Sequence, residues 1–114
     1  MILIIGGAHC GKRHYAAHCL GYDSAQMSDR LDHAPVLYGL ETLLKEGAHD
    51  QEILPALRQK QVVICDEVGC GVVPIDDGER TWRETVGRVC CLLAHEADKV
   101  IRVQCGIATV IKGG

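Results

Sequence analysis

A glycine-rich stretch near the start of the chain has the spacing of a phosphate-binding loop. Gly6, Gly11 and Lys12 match the pattern Gly-x-x-x-x-Gly-Lys, directly after an apolar run. Glycines allow backbone angles that turn successive amide groups toward phosphate oxygens, and the N-terminus of the next helix adds partial positive charge. We expect Lys12 to contact the β- or γ-phosphate of a nucleotide; the alternative is a plain glycine turn. The predicted binding residues are Gly6, Gly7, Ala8, His9, Cys10, Gly11, Lys12 and Arg13.

The residue after the lysine departs from this pattern. Ser or Thr normally stands there, because its hydroxyl ligates the magnesium ion of the bound nucleotide. This chain has Arg13 instead, and a guanidinium offers only hydrogen-bond donors, so it cannot ligate a metal. Arg13 either adds positive charge near the phosphates or is a solvated helix residue. The sequence leaves both interpretations open.

Two acids at the end of an apolar segment could supply the missing metal ligand. Residues 62–65 are continuously apolar and are followed by Asp66 and Glu67, which is the arrangement of a Walker B strand. In that arrangement one carboxylate holds Mg²⁺ directly or through water, and a neighbouring acid positions the nucleophile. We expect Asp66 and Glu67 to be the Mg²⁺ ligands and, with Lys12, the catalytic residues. The alternative is a pair of ordinary loop acids.

Three further side chains carry weaker signals. Cys10 precedes the helix, where the helix terminus and Lys12 would favour a reactive thiolate; the sequence favours the alternative, an incidental thiol on a small loop residue. His14 and His18 are four residues apart and share a helical face. Two histidines without a third ligand rarely form a zinc site, so we expect no zinc there.

The hydrophobic pattern predicts an α/β fold. Continuously apolar strands alternate with helices, which is typical of a mostly parallel sheet with helices on both faces. Ligands of such sheets bind at the carboxyl ends of the strands, where the glycine loop and the two acids both lie. The predicted strands are 1–5, 61–69 with its apolar run at 62–65, 99–106 and a short fourth at 108–114; the predicted helices begin at Lys12, at Pro35, near a cap at Asp50 and at Glu79.

Composition excludes several classes of protein. A chain of 114 residues fits one domain, and a net charge of -3 gives no basic surface for nucleic acid. The N-terminal apolar run has five residues and no basic segment before it, so we expect neither a signal peptide nor a membrane span. The seven cysteines lie in apolar segments, which predicts mostly buried thiols in a reducing cytoplasm.

Several motifs in the C-terminal half occur together in one enzyme family. Residues 66–74 read DEVGCGVVP, and they are followed by an Arg-rich helix with Gly-Arg at 87–88, by ADKV at 97–100 and by Ile-Lys at 111–112. This half, together with the loop ILIIGGAHCGKRHYA, resembles the bifunctional adenosylcobinamide kinase / adenosylcobinamide-phosphate guanylyltransferase family. The family motifs are N-E-V-G-x-G-I-V-P and G-G-A-R-S-G-K-S-x-x-A. The matches cover about two-thirds of the chain.

The resemblance implies a RecA-like P-loop NTPase fold over residues 1–114, in a cytoplasmic homo-oligomer. It implies transfer of the γ-phosphate of ATP or GTP to the aminopropanol arm of a cobinamide-type substrate, followed by formation of a guanylylated histidine. The family's histidine lies six residues after a Met in a D-E-M-x-x-R-I-x-x-H run. Met27, Arg30, Leu31 and His33 have this spacing, so the resemblance makes His33 a candidate.

Two other classes of function stay open on the sequence. A chain that kept the loop but lost turnover would be a nucleotide- or corrinoid-binding module. A redox protein would use Cys10, and alkylation of that thiol blocked by nucleotide would place it at the phosphate site. Only a measurement of turnover separates the enzyme from the binding module.

Overall fold

The computed structural model describes residues 1–7, 10–67 and 77–113, which fold into one α/β unit. Ala8, His9 and the DEVGCGVVP residues after Glu67 lie outside the described part of the chain. The strands are β1 (Ile2–Gly6), β2 (Met27–Ser28), β3 (Val36–Leu37), β4 (Val62–Asp66), β5 (Lys99–Gln104) and β6 (Ile107–Lys112), and the helices are α1 (Lys12–His18), α2 (Leu40–Lys45), α3 (Asp50–Arg58) and α4 (Asp77–Glu96), with a 3-10 turn at Ser24–Gln26.

The described strands form a six-stranded sheet in the order β2-β3-β4-β1-β5-β6. The first five strands in this order run parallel, and β6 returns antiparallel against β5. β1 lies between β4 and β5, and its register pairs Gly6 with Asp66. The end of β1 and the end of β4 therefore meet at the same edge of the sheet. The predicted mostly parallel sheet is confirmed.

Alternate residues of the central strands face two separate cores. Leu3 and Val63 lie in the core under α2, α3 and α4, whereas Ile4 and Ile64 lie in the core that contains Ala16 of α1. The connection from β1 to β2 runs toward one edge of the sheet, and those from β3 to β4 and β4 to β5 run toward the other. Right-handed crossovers place the helices of such opposed connections on opposite faces. The helices therefore cover both faces of the sheet, as predicted.

One predicted helix begins with a strand instead. The spacing of apolar residues predicted a helix from Pro35, but Val36 and Leu37 form β3 and pair with Val62 and Val63. Both β3 side chains are fully buried, so pairing with the neighbouring strand overrides the helical spacing. Helix α2 begins only at Leu40. The two-residue strands β2 and β3 were not predicted.

Helix α3 also differs from its prediction at the N-terminus. His49 occupies the capping position and Asp50 is the first helical residue, so Asp50 is not the cap. Pro55 lies inside the helix, where it cannot donate a backbone hydrogen bond. The short length of α3, nine residues, agrees with the effect expected of that proline.

The described cysteines are less buried than their apolar neighbours suggested. Cys65 is buried and Cys10 and Cys90 are half-buried, but Cys19, Cys91 and Cys105 are exposed, so the prediction of mostly buried thiols is wrong for half of them. All six are free thiols. A hydrogen bond with Cys90, together with burial, raises the pKa of the Cys65 thiol, which therefore stays neutral.

Helix α4 presents one apolar stripe to the sheet. Val86, Val89 and Leu93 are buried at helical spacing, while Leu92 is 40% exposed. Trp82, in the second turn, donates from Nε1 to a backbone carbonyl of α2 at 2.8 Å and ties the two helices together. No helix in the described ranges is both long and apolar enough to cross a membrane.

Leu93→Ala is expected to lower the free energy of unfolding by about 2–5 kcal/mol, because it removes a buried side chain and leaves a cavity. Leu92→Ala on the same helix is the matched control, with an expected change below about 1 kcal/mol. Urea unfolding followed by circular dichroism measures both. Equal losses in the two variants would contradict the placement of Leu93 in the core.

Candidate active site

The parallel register brings the glycine loop and the two acids together. Gly6 ends β1 beside Asp66, and the Glu67 amide donates to the Gly6 carbonyl at 2.7 Å. The loop that begins at Gly7 and the chain that leaves Glu67 therefore start from adjacent points on the carboxyl edge of the sheet. This is the edge at which open α/β sheets bind their ligands.

Close contacts with β5 and the turn after it hold Gly6 and Cys10, which flank the undescribed residues of the glycine loop. A Cβ at Gly6 would overlap the Val103 carbonyl oxygen and lie 2.8 Å from Cys10 Sγ, so only glycine fits. The Cys10 thiol donates to the Val103 carbonyl at 2.9 Å, and the Gly106 amide donates to the Cys10 carbonyl at 3.0 Å. Gly11 begins α1 with φ 94°, a left-handed angle that favours glycine. The loop is held from both ends.

Lys12 is the most enclosed charge at this edge. Its residue is 7% exposed, and its Nζ lies 2.6 Å from Asp66 Oδ1, 2.6 Å from the Gly7 carbonyl oxygen and 3.6 Å from Cys10 Sγ. An ammonium group has three donors, and these three partners account for them. A ligand oxygen that reached Nζ would have to replace one of these partners. The neutral Gly7 carbonyl is a weaker partner than the Asp66 carboxylate.

A cavity of about 200 Å³ opens beside this lysine. Pockets for complete drug-sized ligands have about 300–1,000 Å³, so this cavity has room for a phosphate chain while a base and ribose would extend beyond it. Its wall contains two cationic residues, Lys12 and Arg13, and two acidic residues, Glu41 and Asp66. The lining residues that matter here are Gly11, Lys12, Arg13, Tyr38, Glu41 and Asp66.

Glu41 of α2 is a site residue that the sequence analysis missed. Its Oε1 accepts from the Asp66 amide at 2.9 Å, and its carbonyl accepts from the Trp82 indole. The first bond holds the last residue of β4 against α2, and the second holds α4 against α2. Glu41 lies 25 positions before Asp66, in a helix with ordinary surface charges, so no local pattern marks it.

Arg13 lies at the mouth of the cavity rather than inside it. Its guanidinium carbon is 4.6 Å from the centroid of the Tyr38 ring, within the range of a cation–π contact. The side chain is exposed, and it lines the cavity from outside. Arg13 therefore contacts an aromatic residue of the cavity wall, and both interpretations of its charge stay predictions.

The two predicted magnesium ligands are both paired with cations. Asp66 pairs with Lys12, and Glu67 Oε2 accepts from Arg102 at 3.0 Å. Arg102, on β5, is the second residue that the sequence analysis missed. The Asp66 side chain keeps 33% of its surface exposed and lines the cavity. Within the described residues there is no cluster of three or more His, Cys, Asp or Glu that could hold a metal by itself.

His33 lies in a loop stiffened by its own hydrogen bonds. The Ala34 amide and the Ser28 hydroxyl donate to the Asp32 carboxylate and hold its pKa below the ordinary value. The buried Lys60 side chain donates to the backbone carbonyls of Asp32 and Ala34 in this loop. His33 itself is exposed beside a separate cavity of about 300 Å³.

The structure does not bring His33 to Lys12 within one chain. The cavity beside His33 is also lined by Pro35 and Gln61, which precede β3 and β4, whereas Asp66 ends β4. The described linings of the His33 cavity and of the Lys12 cavity have no residue in common, so the two candidate catalytic groups lie in separate cavities.

Comparison with known proteins places this geometry in a family. A family model described as cobinamide kinase / cobinamide phosphate guanyltransferase matches residues 26–111, three-quarters of the chain. The matched range contains the acids at the end of β4 and begins after the glycine loop. No curated protein matches the chain. By the extent of the family match, the chain belongs to the cobinamide kinase / cobinamide phosphate guanyltransferase family.

Proposed function

We propose that this chain is a single P-loop domain that binds ATP or GTP at residues 6–13 and transfers the γ-phosphate to a cobinamide-type alcohol. Membership of the family supports the class of reaction. The buried Lys12 ammonium beside the 200 Å³ cavity is the observation that carries the assignment to this edge. Family membership also supports a cytoplasmic homo-oligomer.

Nucleotide binding would exchange one partner of Lys12. A phosphate oxygen is a charged acceptor and would displace the neutral Gly7 carbonyl, while the Asp66 carboxylate 2.6 Å from Nζ keeps the ammonium in place. In this arrangement Lys12 neutralises the charge that develops on the phosphates during transfer. The amides of the glycine loop would share that charge.

The transfer step assigns one role to each acid. The acceptor hydroxyl oxygen forms a bond to the γ-phosphorus, the bond from that phosphorus to the β–γ bridging oxygen breaks, and the nucleoside diphosphate leaves. The hydroxyl proton passes to the Glu67 carboxylate, which Arg102 orients. Mg²⁺ bound with the nucleotide would neutralise the β- and γ-phosphates, and the partly exposed Asp66 carboxylate is the residue that would hold it with phosphate oxygens and water.

The second candidate is a nucleotide- or corrinoid-binding module without turnover. It is favoured by Arg13, which stands where a metal-ligating hydroxyl is expected and stacks on Tyr38 at the cavity mouth. Under this alternative Lys12 would bind phosphates without productive metal geometry. Binding alone does not separate the two functions, whereas phosphorylated cobinamide does.

Guanylyl transfer through His33 requires a separate arrangement. Its imidazole nitrogen would attack the α-phosphorus of GTP and release pyrophosphate, and the guanylyl group would then pass to cobinamide phosphate. Because His33 and Lys12 line separate cavities, we assign this step to a second GTP-binding event, near Lys60 and Gln61. Support for this step is the residue spacing and the exposure of the ring.

Lys12→Ala is expected to weaken binding of GTP and ATP at least about 100-fold, a loss of about 2.7 kcal/mol, because the phosphates lose their buried counter-charge. Lys45→Ala is the matched control, since Lys45 lies over the Trp82 ring and outside the cavity. Calorimetric titration with and without Mg²⁺ gives both affinities. If Lys12→Ala binds both nucleotides with wild-type affinity and has an unchanged urea midpoint, the assignment of Lys12 to the phosphate site is wrong.

Arg13→Ser restores a hydroxyl at the metal position and is expected to raise turnover about tenfold, which corresponds to about 1.4 kcal/mol of activation energy. Transfer of radiolabel from γ-labelled GTP to cobinamide measures this rate. Arg80→Ser, a change at an exposed position of α4, is the control. If neither wild type nor Arg13→Ser forms product while both bind GTP, the chain is the binding module.

His33→Ala is expected to remove covalent labelling by α-labelled GTP and to leave phosphorylation of cobinamide within about twofold of wild type, because His33 and Lys12 line separate cavities. His18→Ala, at an exposed position of α1, is the control and should keep the label. Acid-labile radioactivity on the denatured protein is the readout. Label that survives in His33→Ala would exclude this histidine.

A further inference from the structure

A second, apolar cavity shares Asp66 with the phosphate cavity. It has about 280 Å³ and lies between α4 and strands β1, β5 and β6. Asp66 and Glu67 supply the charged groups of its described lining, at the carboxyl edge of the sheet. We call it the α4 groove; its apolar wall includes Leu3, Ile5, Gly87, Cys91, Ala94 and Ile111.

Small side chains on α4 keep this groove open. Gly87, Cys91 and Ala94 recur at helical spacing on the side of α4 that faces β6. A Cβ built at Gly87 meets no atom within 4 Å, so the groove has free space beside the helix. Across it, Ile111 of the edge strand β6 is 56% exposed. An apolar surface of this kind, next to reactive groups, is typical of a ligand site.

We propose that the α4 groove binds methyl groups on the rim of the acceptor, a corrinoid macrocycle, with its alcohol arm directed to Asp66 and Glu67. This inference rests on the proposed function. Asp66 lines both cavities, so a triphosphate at Lys12 and an alcohol in the groove would approach the same carboxylate from two sides.

The distribution of polarity in the groove sets the orientation of the acceptor. Its two acids lie at one end and accept hydrogen bonds, so a hydroxyl is stabilised there, whereas methyl groups of the ring rim are stabilised along the rest. A volume of 280 Å³ holds only part of a macrocycle. The remainder would extend over the exposed Ile111 and Ile107 side chains of β6.

Gly87→Phe is expected to fill the groove and raise the Kd for cobinamide at least about tenfold, while the Kd for GTP stays within about twofold, because Lys12 is untouched. A Cβ at Gly87 meets no atom within 4 Å, so the backbone is expected to accept a side chain there without unfolding. Leu92→Phe, at an exposed position of α4 outside the groove lining, is the matched control. Equilibrium dialysis with cobinamide in the presence of GTP is the measurement.

Alkylation provides a readout that needs no variant. Cys91 is exposed in the groove, and Cys19 is exposed on the opposite side of the sheet as an internal reference. Saturating cobinamide is expected to slow maleimide labelling of Cys91 at least about threefold and to leave Cys19 unchanged. Mass spectrometry of the labelled peptides measures both rates.

The outcomes separate this inference from the proposed function. Cobinamide that binds wild type and Gly87→Phe equally, without protection of Cys91, would overturn the groove and leave the kinase intact. If the protein binds GTP but does not bind cobinamide, both the assignment of the groove and the proposed acceptor are wrong. Protection of Cys91 that appears with protein concentration in the absence of cobinamide would show that a second copy occupies the groove, which also overturns the inference.

Discussion

A buried ammonium group needs an anion, and the edge of this sheet is organised by that requirement. Transfer of an unpaired charge out of water costs several kcal/mol, so Lys12 at 7% exposure is stable only beside Asp66. Asp66 is in turn held by Glu41 of α2 through its amide. The ion pair therefore joins α1 to the end of β4, and the Glu41 hydrogen bond joins the end of β4 to α2 on the opposite face of the sheet. Every cavity proposed here as functional at this edge has Asp66 in its wall.

The contacts around this ion pair fix the position of Lys12 at the edge of the sheet. Lys12 donates to the Gly7 carbonyl of its own loop, and Cys10 and Gly106 hold the loop against β5 and the following turn. A phosphate chain would compete with a neutral carbonyl rather than with the carboxylate. In the proposed mechanism, binding thus changes one contact of Lys12 and preserves the ion pair that fixes its position.

Sequence alone predicted the large elements and the meeting of the two motifs. Residues 62–65 are apolar on both sides because β4 is buried on both faces, and parallel strands bring Gly6 and Asp66 to one edge. Neither the apolar run nor the parallel pairing predicts which side chains contact each other at the site. Glu41 and Arg102 reach the site from α2 and β5, and Tyr38 receives Arg13, through contacts that no local spacing encodes. The apolar spacing predicts a helix over Val36 and Leu37, whereas the structure has β3 there, because a two-residue strand is defined by its neighbour and not by its own sequence.

The central claim is that Lys12 and Asp66 form the phosphate site, and a crystal structure with Mg²⁺ and a non-hydrolysable GTP analogue tests it most directly. The account predicts β- and γ-phosphates within the loop of residues 6–13, with Lys12 Nζ moved from the Gly7 carbonyl to a phosphate oxygen and still within hydrogen-bond distance of Asp66. A nucleotide bound elsewhere, with Lys12 unchanged on Gly7, would contradict it.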